Sequence, residues 1–188
     1  MLDLLLRQID KTKVFQYGIV KTWDIEFLQE VREMCKNDLC RHYGKTWACP
    51  PAVGTVDECR ERCLKYEKML VFTGKFMLED SYDIEGMMQG MKDFKQIARQ
   101  VESAIKPYLN EYQILSNEGC DLCKICTYPH APCRFPEKLH HSIEGYGIIV
   151  SELAKKANVN YINGQNSITY FGALLFNEKD IFKKSIQE

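Results

Sequence analysis

The chain predicts an α+β (or α/β) fold, a single mixed β-sheet of four to five strands with helices packed on it. Three observations lead there. Strand-like and helix-like segments alternate along the sequence, and one amphipathic stretch after residue 83 is long enough to cover a sheet. Apolar content of 45% with 27% charged residues suits a globular core. At 188 residues the expectation is one domain, 1–188. Two cysteine-rich stretches follow neither period and are expected to be loops between these elements.

Each element has its own signal. MLDLLLRQIDK opens on a short apolar run, but Asp3 interrupts it and no small-residue cleavage site follows. It reads as a structured N-terminus, not a signal peptide. Residues 13–21 (KVFQYGIVK) alternate imperfectly and are β-rich, which predicts a strand. Asp24 is placed to cap a helix running to about Met34, with Phe27, Leu28 and Val31 on one face. Residues 35–54 (CKNDLCRHYGKTWACPPAVG) carry no period. A connection of about twenty residues is longer than usual and points to function or metal. Thr55 caps a second helix (TVDECRERCLKY), and residues 68–78 (KMLVFTGKFML) are the clearest strand. Asp83 opens the longest helix, whose Met87, Met88, Met91, Phe94, Ile97, Val101 and Ile105 keep helical spacing until Pro107. Residues 112–115 predict a short strand leading to Gly119. A further helix is expected from Pro136 to about Ala157, and residues 161–176 close the fold as a turn and a strand.

Composition narrows the function. A net charge of −1 and a pI near 6.4 give no global electrostatic case for nucleic acid. No apolar run approaches a membrane span. Nine cysteines without an export signal argue against a disulfide framework and for metal in a cytoplasmic chain. Thiols and iron–sulfur clusters both oxidise readily, so an anaerobic or microaerobic setting is expected.

The most informative run is CDLCKICTYPHAPC, which holds Cys120, Cys123, Cys126 and Cys133. Three cysteines at a repeat of three, closed by a fourth, follow the bacterial ferredoxin pattern for a [4Fe–4S] cluster. Zinc, the alternative, more often uses two separated Cys-x2-Cys knuckles. In two-cluster ferredoxins the fourth cysteine comes after three residues and serves the other cluster. Here six residues, TYPHAP, intervene, and a loop stiffened by Pro129 and Pro132 can fold back so that Cys133 completes its own cluster.

Upstream stand Cys35, Cys40, Cys49, Cys59 and Cys63. Cys40 and Cys49 lie in the aperiodic loop, where metal can supply order that a hydrophobic core does not. Cys59 and Cys63 are four apart and face one side of the second helix. Either can donate the fourth thiolate, which leaves two sets of four and one spare. His42, His130, His140 and His141 flank these motifs and keep a Cys/His zinc site open. Arg41, Lys45, Lys124 and Arg134 are interleaved with the thiols and would favour an anionic cluster, although solvated surface charge explains each equally well.

Taken together, CRHYGKTWACPPAVGTVDEC, DSYDIEGM, GCDLCKICTYPHAPCRFPEK, SIEGYGI and NGQNSITYFG resemble the predicted metal-binding proteins of domain-of-unknown-function family 2284. Five motifs in the same order, over about residues 35–176, carry the likeness. The resemblance implies a small cysteine-rich protein of anaerobic bacteria and archaea, and a bound metal, without naming a reaction. It also implies that Cys35, Cys40, Cys49 and Cys59 form the upstream set, with Cys63 spare.

The sequence thus predicts a cytoplasmic iron–sulfur protein with one or, more fully, two [4Fe–4S] clusters. It would pass electrons to or from a redox protein partner, with neither nucleic acid nor membrane as a partner. Two other readings stay open. One is a cluster-dependent reductase with a small-molecule pocket. There Glu144, Asn163, Gly164, Gln165, Asn166 and Thr169 orient the substrate, and Tyr146 or Tyr170 donates a proton. Asn-Gly is equally a hairpin signal, and no glycine-rich phosphate loop supports a nucleotide. The other is a zinc-stabilised binding module, in which metal only folds the loops.

Overall fold

Residues 1–182 are described by the computed structural model; residues 183–188 of the expected 1–188 domain lie outside the described residues. Among the described residues there are five α-helices: α1 (Leu2–Ile9), α2 (Gln29–Lys36), α3 (Val56–Leu64), α4 (Ile84–Ile105) and α5 (Val150–Lys156). They pack on one sheet of five strands: β1 (Tyr17–Lys21), β2 (Lys68–Met77), β3 (Gln113–Ser116), β4 (His141–Ser142) and β5 (Ser167–Phe176). The strand order is β1-β2-β5-β3-β4, open at both edges, with every pair antiparallel except β3 and β4. The fold is α+β.

The two long strands make the backbone of the sheet. β2 and β5 pair along ten residues each, from Lys68↔Phe176 to Met77↔Ser167. Period-2 alternation then sorts their side chains onto two faces. Met69, Val71, Ala173 and Leu175 enter one core with Cys59 and Cys63 of α3 and Leu153 and Ala154 of α5. Leu70, Phe72, Leu174 and Phe176 enter the other with Leu5 and Ile9 of α1 and the buried stripe of α4. That stripe is Phe94, Ile97, Val101 and Ile105, as the spacing predicts, joined by Ala98, while of the expected methionines Met87 and Met91 are half-buried and Met88 stays 51% exposed. Both faces of the central strands are therefore covered by helices.

Two expected helices are shorter than the sequence suggests, for tertiary reasons. Thr22–Asp24 is a single 3-10 turn, and α2 begins only at Gln29. Between them Ile25 is buried in the core, and the Leu28 N–H donates to the Gly147 carbonyl at 2.7 Å, which holds the segment extended. Gly147 allows that approach: its φ is +81°, and a Cβ there would stand 2.8 Å from the Leu28 oxygen. In the region after Pro136, α5 covers only Val150–Lys156. The Ser142 N–H donates to Ala48 O at 2.9 Å and the Ile143 N–H to Ser116 O at 3.0 Å. With these donors taken by the cysteine loop and by β3, no α-helix forms before Val150, and Pro136–Lys138 and Glu144–Tyr146 are single 3-10 turns. No helix of the described residues is long and apolar enough to cross a membrane.

Candidate metal centre

The upstream loop starts where α2 ends. Cys35 sits in the last turn of α2, and residues 37–54 contain no helix or strand. The loop is ordered by bonds of its own. Asp38 accepts from the Tyr43 N–H at 2.9 Å and pairs with Lys45 at 2.6 Å, while the Gly44 N–H donates to Pro50 O at 2.8 Å. This arrangement opens a cavity of about 350 Å³ between α2, the loop, and the turn after β4. Three thiols line it, Cys35, Cys40 and Cys49, together with the carboxyl groups of Glu118 and Glu144 and an apolar side from Val31, Met34 and Leu39. Burial, then the neighbouring acidic groups Glu144, Cys40 and Cys49, push the Cys35 thiol up to about 11. Burial, then the charge of Glu118, raises Glu144 to about 7. Its Oε2 is buried and has no hydrogen-bond partner among the described residues.

The downstream loop leaves β3 and returns on itself. Thr127 Oγ1 donates to Pro132 O at 2.8 Å, and the His130 and Ala131 N–H groups both donate to Thr127 O. Arg134 reaches back to Ile125 O at 2.9 Å. These contacts close the six-residue TYPHAP segment so that its flanking residues, Cys126 and Cys133, come back towards each other. The charge of Cys133 also reaches Cys120, whose thiol is raised chiefly by burial.

The two loops meet. The Gly119 N–H donates to Cys49 Sγ at 3.3 Å, one residue before Cys120. Gly119 is left-handed (φ +72°), and a Cβ there would lie 2.6 Å from the His42 ring. Trp47 packs edge-on against Tyr128, with ring centroids 5.0 Å apart, and donates to Ala131 O at 3.2 Å. Beneath the junction lies Lys95 of α4, 6% exposed, whose ammonium donates to Asn117 Oδ1 at 3.0 Å, Glu118 O at 2.7 Å and Gly119 O at 3.2 Å. Burial lowers its pKa, and Glu118, Asp121, Cys49 and Cys120 oppose that. One buried cation is therefore within electrostatic reach of a thiol from each set.

Residues 18–176 match the family described as predicted metal-binding protein (DUF2284). The chain belongs to this family. A search of curated proteins and one of solved structures each returned no significant match. Membership of a predicted metal-binding family supports a metal cofactor, without specifying which.

The residues fit some metal groups better than others. Among the described residues, no three His, Cys, Asp or Glu side chains are drawn together tightly enough to hold a metal ion. Cys35, Cys40 and Cys49 stand around a cavity of about 350 Å³ instead. That is far more room than a single ion fills. A polynuclear group with soft sulfur affinity suits both the space and the donors. The peptide groups point the same way. Cys133 accepts an N–H from Phe135 at 3.4 Å. It is the sulfur counterpart of the turn that Asp side chains make with the N–H two residues on. With Gly119 on Cys49, one sulfur in each loop of this predicted metal-binding chain already has a peptide donor that favours thiolate.

The remaining predicted residues lie elsewhere. Cys59 and Cys63 are both 0% exposed in the core under α3. Cys59 Sγ takes bonds from Arg62 at 3.0 Å and from Arg32 at 3.9 Å, and it faces Val53 O at 3.5 Å. Burial and the charge of Cys59 push the Cys63 thiol well above its ordinary range. Glu144 and Tyr146 diverge: Glu144 lines the cavity, whereas Tyr146 is fully buried beside Arg62 with its hydroxyl bonded to Gln113 and His141. Residues 163–170 take no part in the cavity wall. Asn163 bonds Thr169 at 2.9 Å within the turn, and Tyr170 donates to Met87 O at 2.8 Å on the α4 side of the sheet.

Sequence reasoning missed Lys95, Arg32 and Glu118. Lys95 had a signal, a charged residue directly beside Phe94 in the apolar stripe of α4. Arg32 had a similar one, one turn before Cys35 on the face that packs inward. Glu118, exposed to no periodic pattern in its loop, had none.

Proposed function

We propose that this protein is an electron-transfer protein with two [4Fe–4S] clusters, one on each cysteine loop, working with a redox protein partner in an anaerobic cytoplasm. Cys120, Cys123, Cys126 and Cys133 would hold the downstream cluster, and Cys35, Cys40 and Cys49 would supply three ligands upstream. The observation that carries this reading is the peptide N–H donated to one thiol of each cysteine loop, Gly119 to Cys49 and Phe135 to Cys133, in two loops that touch at Gly119. A bound cluster supplies one-electron redox chemistry. The chain supplies N–H donors and the Lys95 charge, both of which favour the reduced, more negative state and raise the potential. Met34, Leu39 and Ile125 are 69%, 90% and 76% exposed beside Cys35, Cys40 and Cys126, an apolar surface that suits a partner's approach.

Protein purified without oxygen is expected to be brown, with about eight irons and eight acid-labile sulfides per chain. Serine at Cys123 should remove about half of both. Colourless protein with stoichiometric zinc and no sulfide overturns the reading. Loss of all the iron, or of none, in Cys123→Ser counts against two independent clusters.

A further inference from the structure

We infer that Glu144, in place of Cys59, is the fourth ligand of the upstream group, which leaves that group one exchangeable corner open to the cavity. The inference rests on the iron–sulfur reading above. Glu144 lines the same cavity as Cys35, Cys40 and Cys49, and its Oε2 is buried without a hydrogen-bond partner among the described residues. An unpartnered buried carboxyl oxygen is costly unless something binds it, and a metal ligand position resolves that cost.

Cys59 is committed elsewhere. Its sulfur faces Val53 O and receives both guanidinium groups. Arg32, which donates to it, also bridges Gly145 O at 2.5 Å and Gly54 O at 2.6 Å. Arg32 thereby fixes α2, the end of the cysteine loop and the turn carrying Glu144 in one piece. Drawing Cys59 into the cavity would break these bonds and strand a buried cation. Cys59 is thus a structural thiol that helps hold Arg32, and Arg32 holds the walls of the site.

A carboxylate is a hard donor on a soft iron–sulfur corner and is displaced more readily than thiolate. Glu118 lines the cavity as well, and Val31, Met34 and Leu39 make its open side apolar. The ligand admitted at that corner is therefore a small uncharged molecule with one donor atom, since an anion would meet Glu118.

The test uses Cys123→Ser protein, reconstituted with iron and sulfide under anaerobic conditions, so that the upstream group is observed alone. Cys59→Ser in that background, which keeps an acceptor for the two guanidinium groups, is expected to keep about four irons and an unchanged EPR signal, whereas an oxygen in place of a thiolate ligand would shift that signal. Glu144→Ala is expected to alter the signal and to release about one iron in four to a ferrous chelator severalfold faster. Glu144→Gln, which keeps the side-chain volume, carries the same expectation should the alanine variant not fold. Imidazole, a small neutral donor, is expected to change the signal of the parent. Loss of upstream iron or a shifted signal in Cys59→Ser, or an unchanged signal and release rate in the Glu144 variants, overturns the assignment while leaving the function intact. An unchanged signal with imidazole overturns the exchangeable corner. A parent that takes up no sulfide-bearing iron strikes down the function itself.

Discussion

At the scale of single residues, Lys95 and His141 show how burial sets charge in this protein. The Lys95 ammonium satisfies Asn117, Glu118 and Gly119 at the point where the two cysteine loops touch. Methionine there keeps the length and leaves those oxygens unpaired. Lys95→Met is expected to cost about 3 kcal/mol in urea unfolding, the penalty for stranded buried acceptors. His141 gives a pH effect with a definite sign. Burial, then Arg62 and His140, lowers it from 6.5 to about 4, and its Nδ1 faces the Tyr146 hydroxyl at 2.9 Å. Between those values the unfolded chain binds a proton that the folded chain refuses, so stability falls as pH drops from 6.5 towards 4. The loss is bounded at about 3 kcal/mol by 1.36 kcal/mol per unit. Urea midpoints measured from pH 7 to pH 4.5 are expected to fall less in His141→Gln than in the parent.

At the scale of elements, α3 illustrates what local sequence settles. Thr55 Oγ1 accepts from the Glu58 N–H at 3.2 Å, and the Glu58 carboxylate accepts from the Thr55 N–H at 2.7 Å. This reciprocal capping box starts the helix where the sequence places it. Thr55→Ala is expected to lower stability by about 1 kcal/mol in chemical denaturation. β2 and α4 were equally legible, because alternation and helical spacing are properties of neighbouring residues. The start of α2 and the stretch between Pro136 and Val150 were not. There Leu28, Ser142 and Ile143 give their N–H groups to Gly147, Ala48 and Ser116, partners that no local pattern reveals.

At the scale of the whole molecule, the sheet brings the two cysteine loops together. β3 delivers the chain to Gly119, β4 pairs beside it in parallel, and the turn after β4 carries Glu144 to the cavity wall. The resulting contacts, Gly119 to Cys49 and Trp47 to Tyr128 and Ala131, make the loops one surface. On the two-cluster proposal, clusters held by loops in contact would couple magnetically. The EPR spectrum of fully reduced parent protein should show spin–spin splitting that disappears in Cys123→Ser.

What the sequence by itself determined was membership of a predicted metal-binding family and most of the elements, because cysteine spacing, caps and hydrophobic period are all written within a few residues. The tertiary structure alone decided which groups share the cavity. Cys49 and the Gly119 amide are 70 residues apart along the chain, and Arg32 and Gly145 are 113 apart. The same packing put Cys59 in the core under α3 and set Glu144 in the cavity wall with Cys35, Cys40 and Cys49. Both outcomes follow from which side chains a folded sheet turns inward, and sequence spacing carries no record of that.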